Sequence, residues 1–248
     1  MLIENTANKL REMHLSVMAS AFKEQLTDPQ LQSMSFEDRF GLIVDKEWCA
    51  RKSNHLKRLI KQASFSEPGA CVEDIEYHPD RNLDKNQIAR LSACNYIAEH
   101  HNVMLLGATG SGKTYLACAL GMAAVRNYLT AKYIRLPELL VDFSIARGSG
   151  TIRKVMAQYK KYSLLIIDEW LLSPLKDMES RDLLEIIEAR YKKASTLFCS
   201  QFDVPGWREK LGDPILADAI CDRIVHDSYT IVTDCKDSMR KRKGISEN

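Results

Sequence analysis

Nowhere does this chain carry an apolar run approaching the roughly 18 residues that a membrane span requires. Its first residues, with Glu4, Asn5 and Asn8 among them, lack a signal-peptide core. The expectation is a cytoplasmic protein with no membrane partner. The seven cysteines (Cys49, Cys71, Cys94, Cys118, Cys199, Cys221, Cys235) stand far apart and form no Cys-x-x-Cys pair. That spacing excludes a disulfide framework or zinc ribbon and reads as reduced, mostly buried thiols. His100 and His101 are adjacent, so they cannot share a helix face as metal-binding pairs do. No zinc is expected. Internal repeats and low-complexity tracts are also missing, and nothing resembles a recognition helix or finger that would read base edges.

What is present suits a soluble globular protein. Hydrophobic residues make up 45% and charged residues 27% of a chain of 248 residues, enough for one α/β domain with a smaller attachment. The formal net charge is only +2. Its distribution says more. Arg51, Lys52, Lys57, Arg58 and Lys61 crowd one stretch, and Lys236, Arg240, Lys241, Arg242 and Lys243 crowd another. Two basic patches on a near-neutral chain fit contact with DNA phosphates, and solvated helix faces give the same pattern.

The stretch Val103 to Leu106 breaks into Gly107-Ala108-Thr109-Gly110-Ser111-Gly112-Lys113-Thr114. Glycines let backbone N–H groups curl round phosphate oxygens, a lysine reaches the β and γ phosphates, and the threonine hydroxyl can ligate Mg²⁺. The run from Tyr115 to Val125 has the small, apolar content of a buried helix whose N-terminal dipole would face those phosphates. A nucleotide and Mg²⁺ are the expected ligands, with Gly107 through Tyr115 around the nucleotide.

Before this loop the chain reads as helical. Apolar spacing predicts one amphipathic helix over 4–26, then a second from Ser35 with Phe36, Phe40, Ile43, Val44 and Trp48 inward. Residues 1–65 thus read as a small all-helical N-terminal domain, and 66–83, with Pro68, Gly69 and Pro79, as a linker. A further helix is expected from Asp84 to about Ala98, opening a domain over 84–248. Beyond the loop, strands at 132–136, 164–169, 196–200 and 229–232 alternate with helices at 139–147, 151–161, 182–191 and 217–225. Such alternation means an α/β fold, a central parallel sheet flanked by helices with ligands at the carboxyl ends of the strands.

Leu164-Leu165-Ile166-Ile167-Asp168-Glu169 supplies the second half of a nucleotide site. Asp168 would hold Mg²⁺ and Glu169 would activate water. Ser200 and Gln201 end the next strand, where a polar group could sense the γ-phosphate or simply make a turn. Arg223 offers a guanidinium for phosphoryl charge, or a salt bridge with Asp222 or Asp218.

With Trp170 after the acids, the segment Arg181 to Glu188, and above all Gly212-Asp213-Pro214-Ile215-Leu216-Ala217-Asp218-Ala219-Ile220-Cys221-Asp222-Arg223, the chain resembles the IstB-type transposition helper ATPases over essentially its whole length. The resemblance implies an AAA+ P-loop NTPase. It further implies a homo-oligomer, ring or filament, that assembles on double-stranded DNA with weak sequence preference. It implies a partner transposase, Arg223 as a trans-acting arginine finger and Arg240 as a second nucleotide-sensing arginine. Gln201 falls where relatives often carry Asn, and the basic ending leaves no room for a large added lid domain. A replicative helicase loader of the DnaC type and a nucleotide-gated DNA scaffold are the alternatives.

Overall fold

The computed structural model describes residues 2–234 together with Ser238 and Met239. Arg240 and the rest of the second basic patch lie outside the described residues. The chain divides into two compact units, 1–58 and 59–248.

The first unit holds α1 (Leu2–Glu12), α2 (Ser16–Thr27), α3 (Pro29–Gln32) and most of α4 (Phe36–Ala63). The single helix expected over 4–26 is therefore two. His14 takes a left-handed conformation at φ 58°, its N–H donates to Arg11 O, and Leu15 N–H donates to Leu10 O. This pair of bonds is the usual glycine-based helix stop, here built on histidine, so no glycine marked it. The start of α2 is satisfied from a distance: the buried Glu47 carboxylate accepts Met18 N–H at 2.9 Å and Arg51 Nε at 2.7 Å. Arg51 beside it holds the Glu47 carboxyl below its ordinary range. The inward stripe expected on α4 is corrected too. Ile43 is buried, whereas Phe36, Phe40 and Trp48 are 68%, 50% and 59% exposed. Alanines (Ala7, Ala19, Ala21) fill the buried positions, and periodicity identifies a stripe without saying what covers it.

The second unit begins within α4. A short 3₁₀ turn (Pro79–Arg81) and α5 (Lys85–Ser92) lead to α6 (Asn95–Ala98), β1 (Asn102–Leu106), α7 (Lys113–Arg126), β2 (Ala131–Arg135), α8 (Leu136–Gly148), α9 (Ile152–Lys161), β3 (Leu164–Asp168), α10 (Asp177–Arg190), β4 (Ser195–Ser200), α11 (Val204–Leu211), α12 (Pro214–Val225) and β5 (Ser228–Val232). The helix expected from Asp84 to Ala98 is split at Cys94, which sits at φ 64°. Helix α11 was not anticipated. Its opening Val-Pro-Gly looks like a loop, but Asp203 caps it by accepting Gly206 N–H at 3.1 Å.

All strand pairs are parallel, in the order β2-β3-β4-β1-β5. Strands β3 and β4 are buried along their whole length; β3 runs through four aliphatic residues to Asp168, and β4 buries Leu197, Phe198 and Cys199 between Ser195, Thr196 and Ser200. One face packs Met104, Leu165, Ile167 and Phe198 against Trp170, Trp207, Leu183 and Ile220. Register pairs Leu106 with Ser200 and Arg135 with Asp168. The loop after β1, the acids of β3 and the end of β4 thus share the carboxyl edge of the sheet. The stretch 66–83 adds Ala70, Ile75 and Arg81 to the buried interior of this unit.

Candidate nucleotide site

The loop after β1 is held open by glycine backbone that other residues resist. Gly107, Gly110 and Gly112 have φ of 151°, 82° and 89°. A Cβ at Gly107 would lie 2.0 Å from Thr233 O, and one at Gly112 would lie 2.8 Å from Arg81 Nη2. The N–H groups of Ala108, Thr109, Gly110 and Gly112 find no protein acceptor among the described residues. The Ser111 hydroxyl is buried with no hydrogen-bond partner there either. Donors left over in a tight concave loop are what a polyphosphate would satisfy, so the residues fit the group. Lys113 Nζ turns back on Gly107 O at 2.7 Å and Ala108 O at 2.8 Å, both within its own loop.

At the end of β3, the buried Asp168 is fixed through both oxygens. Oδ1 accepts Glu169 N–H at 2.8 Å; Oδ2 accepts the Thr114 hydroxyl at 2.7 Å and the Tyr133 phenol at 2.8 Å. Thr114 and Asp168 are therefore brought together from the loop and a strand two places away in the sheet, as shared ligation of Mg²⁺ needs. Glu169 has left-handed backbone, φ 55°. Its Oε1 stands 3.4 Å from Arg135 Nη1, which with Glu138 holds the Arg135 guanidinium above its ordinary pKa, Glu138 being the stronger cause. Burial first, and the neighbouring Asp168 carboxylate after it, push the Tyr133 phenol up.

Other expected residues fall in varied places. The Ser200 hydroxyl is fully used: it accepts Trp207 Nε1 at 2.8 Å and Phe202 N–H at 3.1 Å, and donates to Trp170 O at 3.1 Å. Gln201 is exposed just beyond it. The Tyr115 hydroxyl lies against the Cys71 backbone, at 3.4 Å from its N–H. Arg223 is not drawn to the loop of its own chain; its guanidinium donates to Ala219 O at 2.8 Å and Glu188 Oε1 at 3.4 Å. Of the basic cluster on α4, Lys57, Arg58 and Lys61 are exposed. Lys52 stacks over Trp48, 5.4 Å from the ring centre. Arg51 is spent on Glu47 and on His14 O at 2.6 Å, so its role in the patch is first structural.

Three neighbours of the loop were missed. Arg81 is 4% exposed and donates through Nη1 to Glu76 O at 2.6 Å and through Nη2 to Ser111 O at 3.1 Å. Thr233 donates to the same Ser111 carbonyl at 3.2 Å. Tyr133 is the third. Arg81 also lines a cavity of about 300 Å³ with Asp74, Glu76, Gly112, Tyr115 and Met239. No sequence motif contains these residues. The one hint for Arg81 was an arginine in a stretch otherwise read as connection.

The profile of the IstB-like ATP binding protein family matches residues 8–246. Among similar proteins, an insertion sequence ATP-binding protein of Sinorhizobium fredii (strain NBRC 101917 / NGR234), y4pL, is 37% identical over 231 residues, covering 93% of this chain and 94% of that one. The insertion sequence IS1162 ATP-binding protein of Pseudomonas fluorescens is 40% identical over 201 residues, 81% of this chain and 87% of its own. Among solved structures, AMPPCP-bound DnaA from Aquifex aeolicus superposes with a TM-score of 0.59 at 16% identity. It shares 73% of this chain and 54% of its own, so the likeness is one of fold, the AAA+ P-loop fold.

Proposed function

We propose that this chain, which belongs to the family of IstB-like ATP binding proteins, hydrolyses ATP with Mg²⁺ and works as a self-assembling regulator of DNA transposition. It would assemble on double-stranded DNA with weak sequence preference and recruit or stimulate a partner transposase. The observation that carries the enzymatic part is the Thr114 to Asp168 bond of 2.7 Å with Glu169 next in sequence. In this reading Thr114 and Asp168 hold Mg²⁺, which neutralises developing phosphate charge when bound. Gly107 to Gly112 and Lys113 hold the polyphosphate, Tyr115 borders the nucleotide cavity, and Glu169 orients and deprotonates water. Relatives named for insertion sequences support the transposition context.

Arg223 is read as acting on a neighbouring copy, because its own-chain contacts are a helix carbonyl and Glu188 rather than the phosphate loop. Mixing Arg223→Ala chains with Glu169→Gln chains should then restore part of the ATPase activity, and no recovery at any ratio would refute the trans role. For DNA, Lys57, Arg58 and Lys61 are the exposed candidates, and affinity should fall steeply with salt as counterions are released. Gln201 is assigned as the strand-end sensor and Arg240 as a second nucleotide-sensing arginine.

The deciding experiment is Glu169→Gln with transposase stimulation as readout. Loss of turnover and of full transposition cycles supports an enzyme. Full cycles without hydrolysis would instead make the chain a nucleotide-gated scaffold. Stimulation of a replicative helicase loading step, with no effect on a transposase, would move the assignment to a loader of the DnaC type.

A further inference from the structure

Tyr133 belongs to neither the phosphate loop nor the acidic strand end, yet its hydroxyl shares the Asp168 Oδ2 acceptor with Thr114. On β2 it shares a sheet face with Arg135, two residues on, and Arg135 is in register with Asp168. That places its phenol one pleat below the acid, on the side where α7 presents Thr114. The ring is buried. The result is an Asp168 Oδ2 that accepts two hydroxyl protons, at 2.7 Å from Thr114 and 2.8 Å from Tyr133.

A carboxylate on a strand end can rotate about its last torsion, and each orientation lost on metal binding weakens the site. The Glu169 N–H pins one oxygen of Asp168. Thr114 cannot be relied on to pin the other, because its hydroxyl has a second task in presenting oxygen to the metal. A buried phenol is free of that demand. We propose that Tyr133 is a positioning residue for Mg²⁺: by donating to Asp168 Oδ2 it holds the carboxylate in its metal-binding orientation, so that the site favours Mg-nucleotide over nucleotide alone. This rests on the assignment of Asp168 as the Mg²⁺ residue.

The test is equilibrium binding of an N-methylanthraniloyl ATP analogue to the full chain, in EDTA and across a Mg²⁺ titration, without turnover. Tyr133→Phe keeps the ring and removes only the donor. It should raise the Mg²⁺ concentration for half-maximal binding about tenfold, the low end for lost outer-shell partners, while binding in EDTA stays as in the parent. Asp168→Asn should abolish the Mg²⁺-linked gain. If Tyr133→Phe titrates like the parent while Asp168→Asn loses the gain, the role of Tyr133 is refuted and that of Asp168 stands. An intact gain in Asp168→Asn refutes the assignment beneath it. Equal weakening of Tyr133→Phe with and without Mg²⁺ shows a brace for the loop, and overturns the proposal. Should Tyr133→Phe fail to fold, a ring-fluorinated tyrosine at 133, a stronger donor of similar shape, should lower the Mg²⁺ requirement; no shift there counts against the proposal.

Discussion

At the amino edge of the sheet, the guanidinium of Arg190 is 1% exposed and meets Tyr159 O at 3.0 Å, Tyr162 O at 2.8 Å, Thr196 Oγ1 at 3.0 Å and Ser195 O. At the carboxyl edge, Lys113 donates to carbonyls five and six residues away, and beside it the Ser111 hydroxyl meets nothing among the described residues. Both cations are buried near strand ends. Arg190 ties α10 to the end of α9 and to β4, so its bonds are the fold. The bonds of Lys113 to Gly107 O and Ala108 O stay within its own loop. The difference teaches how to separate polar burial that builds the fold from polar burial open to a ligand: Arg190 ties separate elements together, whereas the Ser111 hydroxyl has no partner among the described residues.

The largest expected effect lies at the carboxyl edge. Glu169→Gln should lower steady-state ATP turnover by about 10²–10⁴-fold, the range for a general base, and leave the melting temperature within about 2 °C. A drop in stability as large as the drop in rate would erase the contrast with Arg190. At the opposite edge, Arg190→Ala strands three carbonyls and a threonine hydroxyl. It should cost about 3–5 kcal/mol in urea denaturation with no change in nucleotide affinity for the protein that remains folded. Burial pulls the Arg190 guanidinium down to about 9, which still leaves it charged at neutral pH. A lysine there would keep the charge but lose the fork that reaches several carbonyls at once, so Arg190→Lys should be rescued only in part.

Ser111→Ala comes next in size. Removing a buried hydroxyl that has no partner among the described residues should stabilise the nucleotide-free protein by about 1 kcal/mol and weaken nucleotide binding by a few-fold. Differential scanning calorimetry with and without ATP reads both signs in one sample. Destabilisation in the free protein would mean that the hydroxyl already has a partner, and the contrast between the two edges would weaken.

Much of this contrast could be read from residue order alone. The apolar run of β3, the short strand β4, the glycines at 107, 110 and 112, and the acids after Ile167 each follow from local chemistry, and they lie in the expected places. What escaped was of two kinds. Helix breaks were hidden where His14 and Cys94 take the left-handed conformation that glycine normally signals. Long-range partners were hidden because nothing in sequence spacing brings Arg81 to Ser111, 30 positions on, or Tyr133 to Asp168, 35 positions on. The exposed aromatics of α4 mark the same limit from the other side: spacing gives a face, and only tertiary structure gives its cover.

The smallest effect is the sharpest probe of what the carboxyl edge sacrifices. Glu169 keeps φ at 55° although glutamate gains nothing locally from a left-handed backbone, and such a conformation costs about 1–2 kcal/mol. Its neighbour bond, Trp170 N–H to Cys199 O at 2.8 Å, and the Glu169 N–H to Asp168 bond hold it there. Glu169→Gly should relieve that strain, offset in part by the greater freedom of glycine in the unfolded chain, for a net gain of about 0.5–1 kcal/mol. Glu169→Ala removes the same carboxylate and the same Arg135 contact but keeps the strain, so the difference between the two variants isolates the backbone. Both should be inactive in ATP hydrolysis, and the glycine variant should melt about 1–3 °C above the alanine variant. Equal melting would show that the surrounding bonds, not the side chain at 169, set that conformation without strain. A higher melt for glycine would identify a position where the fold accepts lower stability in order to carry a carboxylate beside Asp168.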